Sequence, residues 1–187
     1  MSKRALATAL TLALTMLMVG IASAQTPYIA VYFNAGHSQE AKDCPGPGPV
    51  VDTWYIAALN FNMFLSGAEF MVSYPPAVTW LADAATPPVT LGNTPTGITM
   101  GFPFPQNGFN TVDLCQVVVL WNCETCMDPY LNNLVRVIPH PGTGFLGAVD
   151  YPGFNLVPSV GLTAVLCACT IPTEQTTWGQ VKSLYNE

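Results

Sequence analysis

Charged residues are scarce in this chain. Only 9% of its 187 residues are Asp, Glu, Lys or Arg, and five basic residues stand against 11 acidic ones. Proteins that bind nucleic acid neutralise phosphates with clustered Lys and Arg, so this function is excluded. Hydrophobic residues make up 50% of the chain. That share is enough to build a buried core, and it excludes a disordered polar chain.

Signatures of catalysis and of metal binding are also missing. There is no G-x-S-x-G motif, and no spacing of acidic residues indicates a facing pair for glycoside hydrolysis. The two histidines, His37 and His140, lie among Gly, Ser and Pro, which predicts solvent-exposed loop positions. No D-x-D-x-D calcium loop is present, and calcium near Asp43, Asp52 or Asp150 stays an open question. We therefore predict a protein that is not an enzyme and holds no cofactor or metal.

The first 24 residues have the three parts of a secretory signal peptide. Lys3 and Arg4 form a charged start, Ala5 to Ile21 form an uncharged apolar run, and Ala22-Ser23-Ala24 matches a small-x-small cleavage pattern. No later stretch has the length of a membrane-spanning helix. We expect a secreted protein, extracellular, on the cell surface or periplasmic, that begins at Gln25 and has no transmembrane segment.

Six cysteines follow this signal, and an even number in an exported chain predicts structural disulfides. Their pairing stays open, because six cysteines can pair in many ways. Cys123 and Cys126 also form a C-x-x-C pair, which makes a thiol-disulfide oxidoreductase one alternative function. No βαβ pattern surrounds that pair, so structural disulfides are the preferred interpretation. The six residues are Cys44, Cys115, Cys123, Cys126, Cys167 and Cys169.

From Tyr28 onward, short apolar runs alternate with clusters of Pro, Gly and Asn. Residues 68–74 alternate between apolar and polar, as in a strand with one buried face. Two runs are apolar on both faces and are predicted as central strands, and no helical pattern separates the runs. The sequence therefore predicts an all-β protein with a single antiparallel β-sandwich over residues 25–169, with a barrel as the alternative. The predicted strands are 28–33, 53–61, 68–74, 78–81, 97–102, 112–121, 134–138 and 160–168, of which 53–61 and 112–121 are the central ones.

The end of the chain has a different pattern. Thr177 and Gln180 form a capping box, and four apolar residues then fall on one helical face: Trp178, Val181, Leu184 and Tyr185. We expect a linker at 170–176 and a short amphipathic helical tail at 177–187. A helix this short is marginal alone, so its apolar stripe is predicted to dock on the sandwich or on another protein.

Four segments resemble a group of uncharacterised secreted bacterial proteins. They are Ile29–Phe33, Ser66–Phe70, Val160–Thr163 and the tail Thr177–Tyr185, which follows the pattern T-W-G-x-[VI]-K-x-[LM]-Y. The sandwich of that group is similar to cohesin and immunoglobulin-like modules of extracellular proteins. The resemblance implies a fold and a compartment, and it brings no catalytic residue.

Two binding functions follow as expectations. The first is a non-enzymatic exported module for adhesion, surface structure or assembly, whose partners are other surface or extracellular proteins. The alternative is a carbohydrate-binding module, in which exposed aromatic rings stack on glycans. Trp80, Phe102 and Phe104 are its candidate residues, because prolines keep the segment Gly101–Pro105 extended and favour rings that point outward.

Overall fold

The computed structural model describes residues 25–43, 48–85, 87, 89–122 and 133–166. In these ranges the regular structure consists of 13 strands, and no helix there is long and apolar enough to cross a membrane. The strands are β1 Tyr28–Tyr32, β2 Ala41–Lys42, β3 Val50–Leu59, β4 Phe64–Ser73, β5 Val78–Ala85, β6 Val89–Asn93, β7 Gly97–Asn107, β8 Val112–Trp121, β9 Leu134–Ile138, β10 Gly147–Tyr151, β11 Leu156–Pro158, β12 Val160–Gly161 and β13 Thr163–Leu166.

The strands form two sheets. The smaller sheet has the order β12-β1-β3-β8-β5, and the larger sheet is built around β4. On one side β4 pairs with β7, which pairs with β6; on the other side it pairs with β10 and, further along, with β9. The prediction of an all-β sandwich is confirmed. The pairs β1–β12 and β2–β13 are parallel, so the sandwich is not purely antiparallel as predicted.

The core lies between the two sheets and consists of the apolar side chains that point inward from the strands. Both predicted central strands, β3 and β8, occupy interior positions of the smaller sheet. Burial of each large apolar side chain contributes about 1.5–3 kcal/mol. The largest fully buried side chains between the sheets include Trp54, Ile56, Leu65, Phe70, Ile98, Leu114 and Trp121.

A second cluster covers part of the outer face of the smaller sheet. Ala30, Tyr32 and Ala57 are buried there, and Tyr55 packs against them, which explains why β3 is apolar on both faces. His37 is half-buried in this cluster, because its ring packs edge-on against Tyr32 at 5.3 Å between ring centroids and its Nε2 lies 2.8 Å from an Asp113 oxygen. The expectation of a solvent-exposed His37 is therefore wrong.

Cys115 corrects one of the cysteine expectations. Its thiol is free, and β8 places the side chain in the buried core. Burial, and secondarily the charge of Asp83, raises the pKa of this thiol well above its ordinary value. The structure therefore shows no disulfide at Cys115, and burial favours the protonated thiol. Outside the described residues lie Cys44, Cys123, Cys126, Cys167 and Cys169, together with the predicted linker and tail.

Candidate functional site

Trp80, one of the three predicted stacking residues, has a role within the fold. It lies half-buried on β5, packs against the core, and donates its indole N–H to Asp83 Oδ1 at 2.8 Å. Asp83 also accepts the backbone N–H and the hydroxyl of Thr94, both at 2.7 Å. Thr94 is fully buried between β6 and β7 and lies 2.7 Å from the Tyr74 hydroxyl. This network joins the edge of the smaller sheet to the larger one.

Phe102 and Phe104 lie on β7 but point to different surroundings. Phe102 packs against the core, whereas Phe104 is exposed. The cause is a shift in register: Gly101 pairs with Gly67, but Gln106 pairs with Leu65, so the segment between them bulges from the sheet.

The three predicted stacking residues do not form one platform. Trp80 is tied through Asp83 to Thr94, which precedes the start of β7, whereas Phe104 lies near the other end of that strand. Phe104 lies seven positions after Gly97 along β7. If this segment were fully extended, it would span about 23 Å.

The structure instead brings exposed apolar side chains together on the outer face of the larger sheet. One cross-strand row runs through Val89, Gly101, Gly67, Val149 and Leu156, from β6 across β7, β4 and β10 to β11. Val89 and Leu156, at the ends of the row, are 61% and 63% exposed. The row spans four strand spacings, or about 19 Å.

A second row lies beside the first and begins at Leu91, which is 70% exposed. From Leu91 it continues through Thr99 and Glu69 to Gly147. We call Val89, Leu91, Val149 and Leu156, with the two glycines between them, the apolar face. Because Gly67 and Gly101 have no side chains, its centre is a shallow trough.

The carboxylate of Glu69, on the same side of the sheet, is engaged by neighbours. Thr143 donates its hydroxyl to Oε1, and His140 Nδ1 lies 3.5 Å from that oxygen. The side chain of Glu69 is only 15% exposed, and His140 is half-buried rather than solvent-exposed as predicted. The turn that follows β9 therefore shields the charge of Glu69 from a partner on the apolar face.

Two of the three acidic residues considered for calcium, Asp52 on β3 and Asp150 on β10, have protein partners. Asp52 pairs with Lys42 and accepts the indole N–H of Trp54 at 2.9 Å. Asp150 accepts the backbone and side-chain N–H groups of Asn155. Within the described ranges, no three His, Cys, Asp or Glu side chains lie close enough together to hold a metal ion.

Sequence reasoning did not find the apolar face. Its members come from five strands, and only the alternation Val89-Thr90-Leu91 gives a local signal of a strand with one exposed apolar side. The other predicted site residues, Trp178, Val181, Leu184 and Tyr185, lie outside the described ranges.

Comparison with known proteins identifies the class of fold. A scan against protein-family models finds no match, and a search of curated proteins finds none either. Among solved structures, a chain of the CaDoc0917–CaCohA2 complex has a TM-score of 0.50 at 12% identity, covering 75% of this chain and 98% of that one. This likeness shows that the chain has a cohesin-like β-sandwich fold, as the sequence resemblance implied.

Two further solved structures are similar. A cohesin module from a Clostridium perfringens family 33 glycoside hydrolase has a TM-score of 0.48 at 10% identity and covers 75% of this chain and 95% of that one. A non-cellulosomal cohesin from Archaeoglobus fulgidus has a TM-score of 0.47 at 9% identity, with coverage of 87% and 99%.

Proposed function

We propose that this protein is an exported, non-catalytic module that binds another extracellular or surface protein through its apolar face. The observation that carries the proposal is the row of apolar residues across five strands, in which side chains of β6 and of β10 and β11, exposed at the two ends of the row, flank two glycines. Contiguous exposed apolar patches mark interaction sites in soluble proteins. The signal-like first 24 residues support export, and the cohesin-like fold supports a binding role over a catalytic one.

The chemistry of the apolar face supports an apolar contact rather than an ionic one. Val89, Leu91 and Leu156 supply exposed apolar surface that a partner can bury, and the Glu69 carboxylate already accepts the Thr143 hydroxyl. Burial of apolar area is only weakly sensitive to salt, whereas exposed ion pairs are screened by it. Binding through this face is therefore expected to persist at high ionic strength.

Two groups of types that often perform catalysis, the Cys115 thiol and the Asp83 carboxylate, have structural surroundings in the described part of the chain. The Cys115 thiol is buried and has a raised pKa, and Asp83 is bonded to Trp80 and Thr94. These groups hold the fold together, which supports a binding module.

The proposal is tested by crosslinking followed by affinity measurement. A photo-crosslinking amino acid replaces Leu91 in the full chain, and any protein captured in the producing cells is identified, purified separately and titrated against the wild type. We expect Leu91→Asp to weaken this purified complex by a factor of about 100, because a charge would be buried against an apolar partner.

The matched control lies on the other sheet. Val51 on β3 is 62% exposed, so Val51→Asp places the same charge at a similarly exposed apolar position away from the apolar face. The control is expected to bind like the wild type, at both low and high salt. Equal affinity of Leu91→Asp and wild type, or equal weakening by both substitutions, would contradict the proposal.

A further inference from the structure

Three loops meet at one end of the sandwich and carry aromatic side chains. They are the connections 60–63 after β3, 108–111 after β7 and 152–155 after β10. The first two are tied by backbone hydrogen bonds from Asn62 N to Gly108 O at 3.0 Å and from Gly108 N to Met63 O at 2.9 Å. The third loop lies beside the first because Phe64, which follows the first loop, pairs with Tyr151, which precedes the third loop.

Four exposed rings gather at this end, and we call them the aromatic end: Phe64, Phe109, Tyr151 and Phe154. Phe64 and Phe109 are 6.1 Å apart between ring centroids, and Tyr151 and Phe154 are 6.0 Å apart, both in edge-to-face geometry. Each ring is between 45% and 66% exposed. The cross-strand pair of Phe64 with Tyr151 connects the two ring pairs into one surface.

The loops hold these rings in place through local hydrogen bonds. Phe154 N donates to Asp150 O at 3.2 Å, and the Asp150 carboxylate accepts from the backbone and side chain of Asn155. On the neighbouring loop, Phe109 N donates to Asn107 Oδ1 at 3.1 Å. The rings are therefore positioned before any ligand binds, which reduces the entropic cost of binding.

Unusual backbone conformations concentrate in the same loops. Among the described residues, four non-glycine residues have positive φ, and three of them are here: Asn60 at 61°, Asn62 at 55° and Phe154 at 55°. A bulky residue such as Phe rarely adopts this conformation. Such strained residues cluster at ligand-binding sites, because the surrounding structure must impose them.

The surroundings of the rings indicate the chemistry of the ligand. Exposed amide side chains accompany them. The loops use one group each of Asn62, Asn107 and Asn155, and the remaining amide groups can donate to or accept from a ligand. The Asp150 carboxylate keeps its negative charge, and the three loops contain no Lys or Arg to attract an anion, so a neutral ligand is favoured. Flat rings pack against the C–H faces of sugars while neighbouring amides bond to hydroxyl groups. The exposed amides are Asn62, Asn107, Asn110 and Asn155.

From this arrangement we propose that the aromatic end is a binding site for a neutral polysaccharide, formed by other residues than the apolar face that it adjoins. A membrane surface is the competing occupant. It is disfavoured because the three loops contain no Lys or Arg to pair with lipid headgroups. The site is formed by three loops held at fixed positions by the β-strands, and it does not depend on the proposed protein partner.

The test uses the full secreted chain and defined probes. Its mobility is measured by affinity electrophoresis in gels that contain xylan, mixed-linkage β-glucan, galactomannan, hydroxyethyl cellulose, or neutral cell-wall polysaccharide from the producing organism. We expect retardation by at least one of these polymers. Phe109→Ala and Phe154→Ala are each expected to weaken binding by a factor of about 10, and the double variant to abolish retardation, since single stacked rings make contributions of this size.

Controls separate this site from the fold and from the apolar face. Melting temperature shows that the variants remain folded, and Leu91→Ala, which removes an exposed apolar side chain elsewhere, is expected to be retarded like the wild type. Sedimentation with phosphatidylcholine vesicles tests the competing occupant. The proposal is overturned if no polymer in the panel retards the protein, if the double variant is retarded like the wild type, or if the rings are needed for vesicle binding alone.

Discussion

At the scale of single residues, three buried acids are held in their neutral forms. Burial is the main cause that raises the pKa of Tyr32, Tyr74 and Cys115 above their ordinary values. For Tyr74, the charge of Asp83 adds to this effect, while the hydrogen bond with Thr94 opposes it. Each of these groups prefers to keep its proton in the folded chain.

This preference predicts a loss of stability at alkaline pH. An unfolded tyrosine releases its proton near its ordinary pKa of about 10, whereas folded Tyr74 keeps it. The contribution of Tyr74 to stability is therefore constant below that pH and falls above it. Tyr74→Phe is expected to reduce the alkaline slope of the free energy of unfolding by up to about 1.4 kcal/mol per pH unit. Urea denaturation between about pH 8 and 11 measures this slope.

A matched variant separates titration from the loss of the hydrogen bond. Thr94→Val removes the partner of the Tyr74 hydroxyl and leaves the titrating group in place. It should lower stability at every pH and keep the wild-type alkaline slope. A wild-type slope in Tyr74→Phe would show that Tyr74 does not contribute to the pH dependence.

At the scale of the strand, β4 and β7 approach each other closely at one glycine. A Cβ added at Gly67 would lie 2.6 Å from the Met100 carbonyl oxygen, whereas one at its cross-strand partner Gly101 would meet Val89 at an ordinary 3.8 Å. Gly67→Ala is therefore expected to cost about 1–3 kcal/mol of stability through strain, and Gly101→Ala less than about 1 kcal/mol. Thermal or urea unfolding of the two variants provides the comparison.

The two glycine variants also report on the apolar face. Gly101→Ala adds a methyl group to the trough with little strain, so we expect it to weaken the protein complex while leaving the fold intact. Equal destabilisation by both substitutions would mean that β4 and β7 are not as close at Gly67 as the structure describes.

The sequence predicted some strands far better than others, and the reason is physical. β8 and β9 begin and end where their apolar runs do, because buried apolar side chains recur along the whole length of each strand. β6 and β10 were not predicted, since each is only five residues long and contains glycine. Their neighbours on the sheet, rather than their own propensity, make them strands.

The candidate sites were less predictable than the fold. The apolar face depends on cross-strand register, which brings Val89 and Leu156 into one row although 67 positions separate them in the sequence. The aromatic end depends on three distant loops meeting at one end of the sandwich. The aromatic ring of Trp80 predicts a ligand-stacking residue, but the sequence does not show that its indole N–H bonds to Asp83 within the fold.

At the scale of the whole molecule, the free thiol of Cys115 constrains the other cysteines. Six cysteines minus this one leaves five, an odd number that cannot pair completely within one chain. Alkylation of denatured, unreduced monomer is therefore expected to label Cys115 and at least one more cysteine. In the native protein Cys115 should stay unlabelled, since it is buried.

Peptide mapping by mass spectrometry measures this outcome. In a covalent dimer, the fifth cysteine could form a disulfide with a second copy of the chain. Non-reducing electrophoresis distinguishes such a dimer from a monomer. Recovery of Cys115 in a disulfide-linked peptide would show that the core differs from the structure described.

The parallel pairing of β1 with β12 has a mechanical consequence. The chain enters the sandwich at the start of β1, and β12 runs beside it in the same direction, joined by bonds from Val160 N to Pro27 O and from Leu162 N to Ile29 O, both 3.0 Å. Tension applied between residue 27, before β1, and residue 162, after β12, pulls the two strands in opposite directions along their axes. The force then acts perpendicular to the hydrogen bonds between them. The bonds then carry the load together rather than opening one at a time, so the strand pair resists stretching in shear.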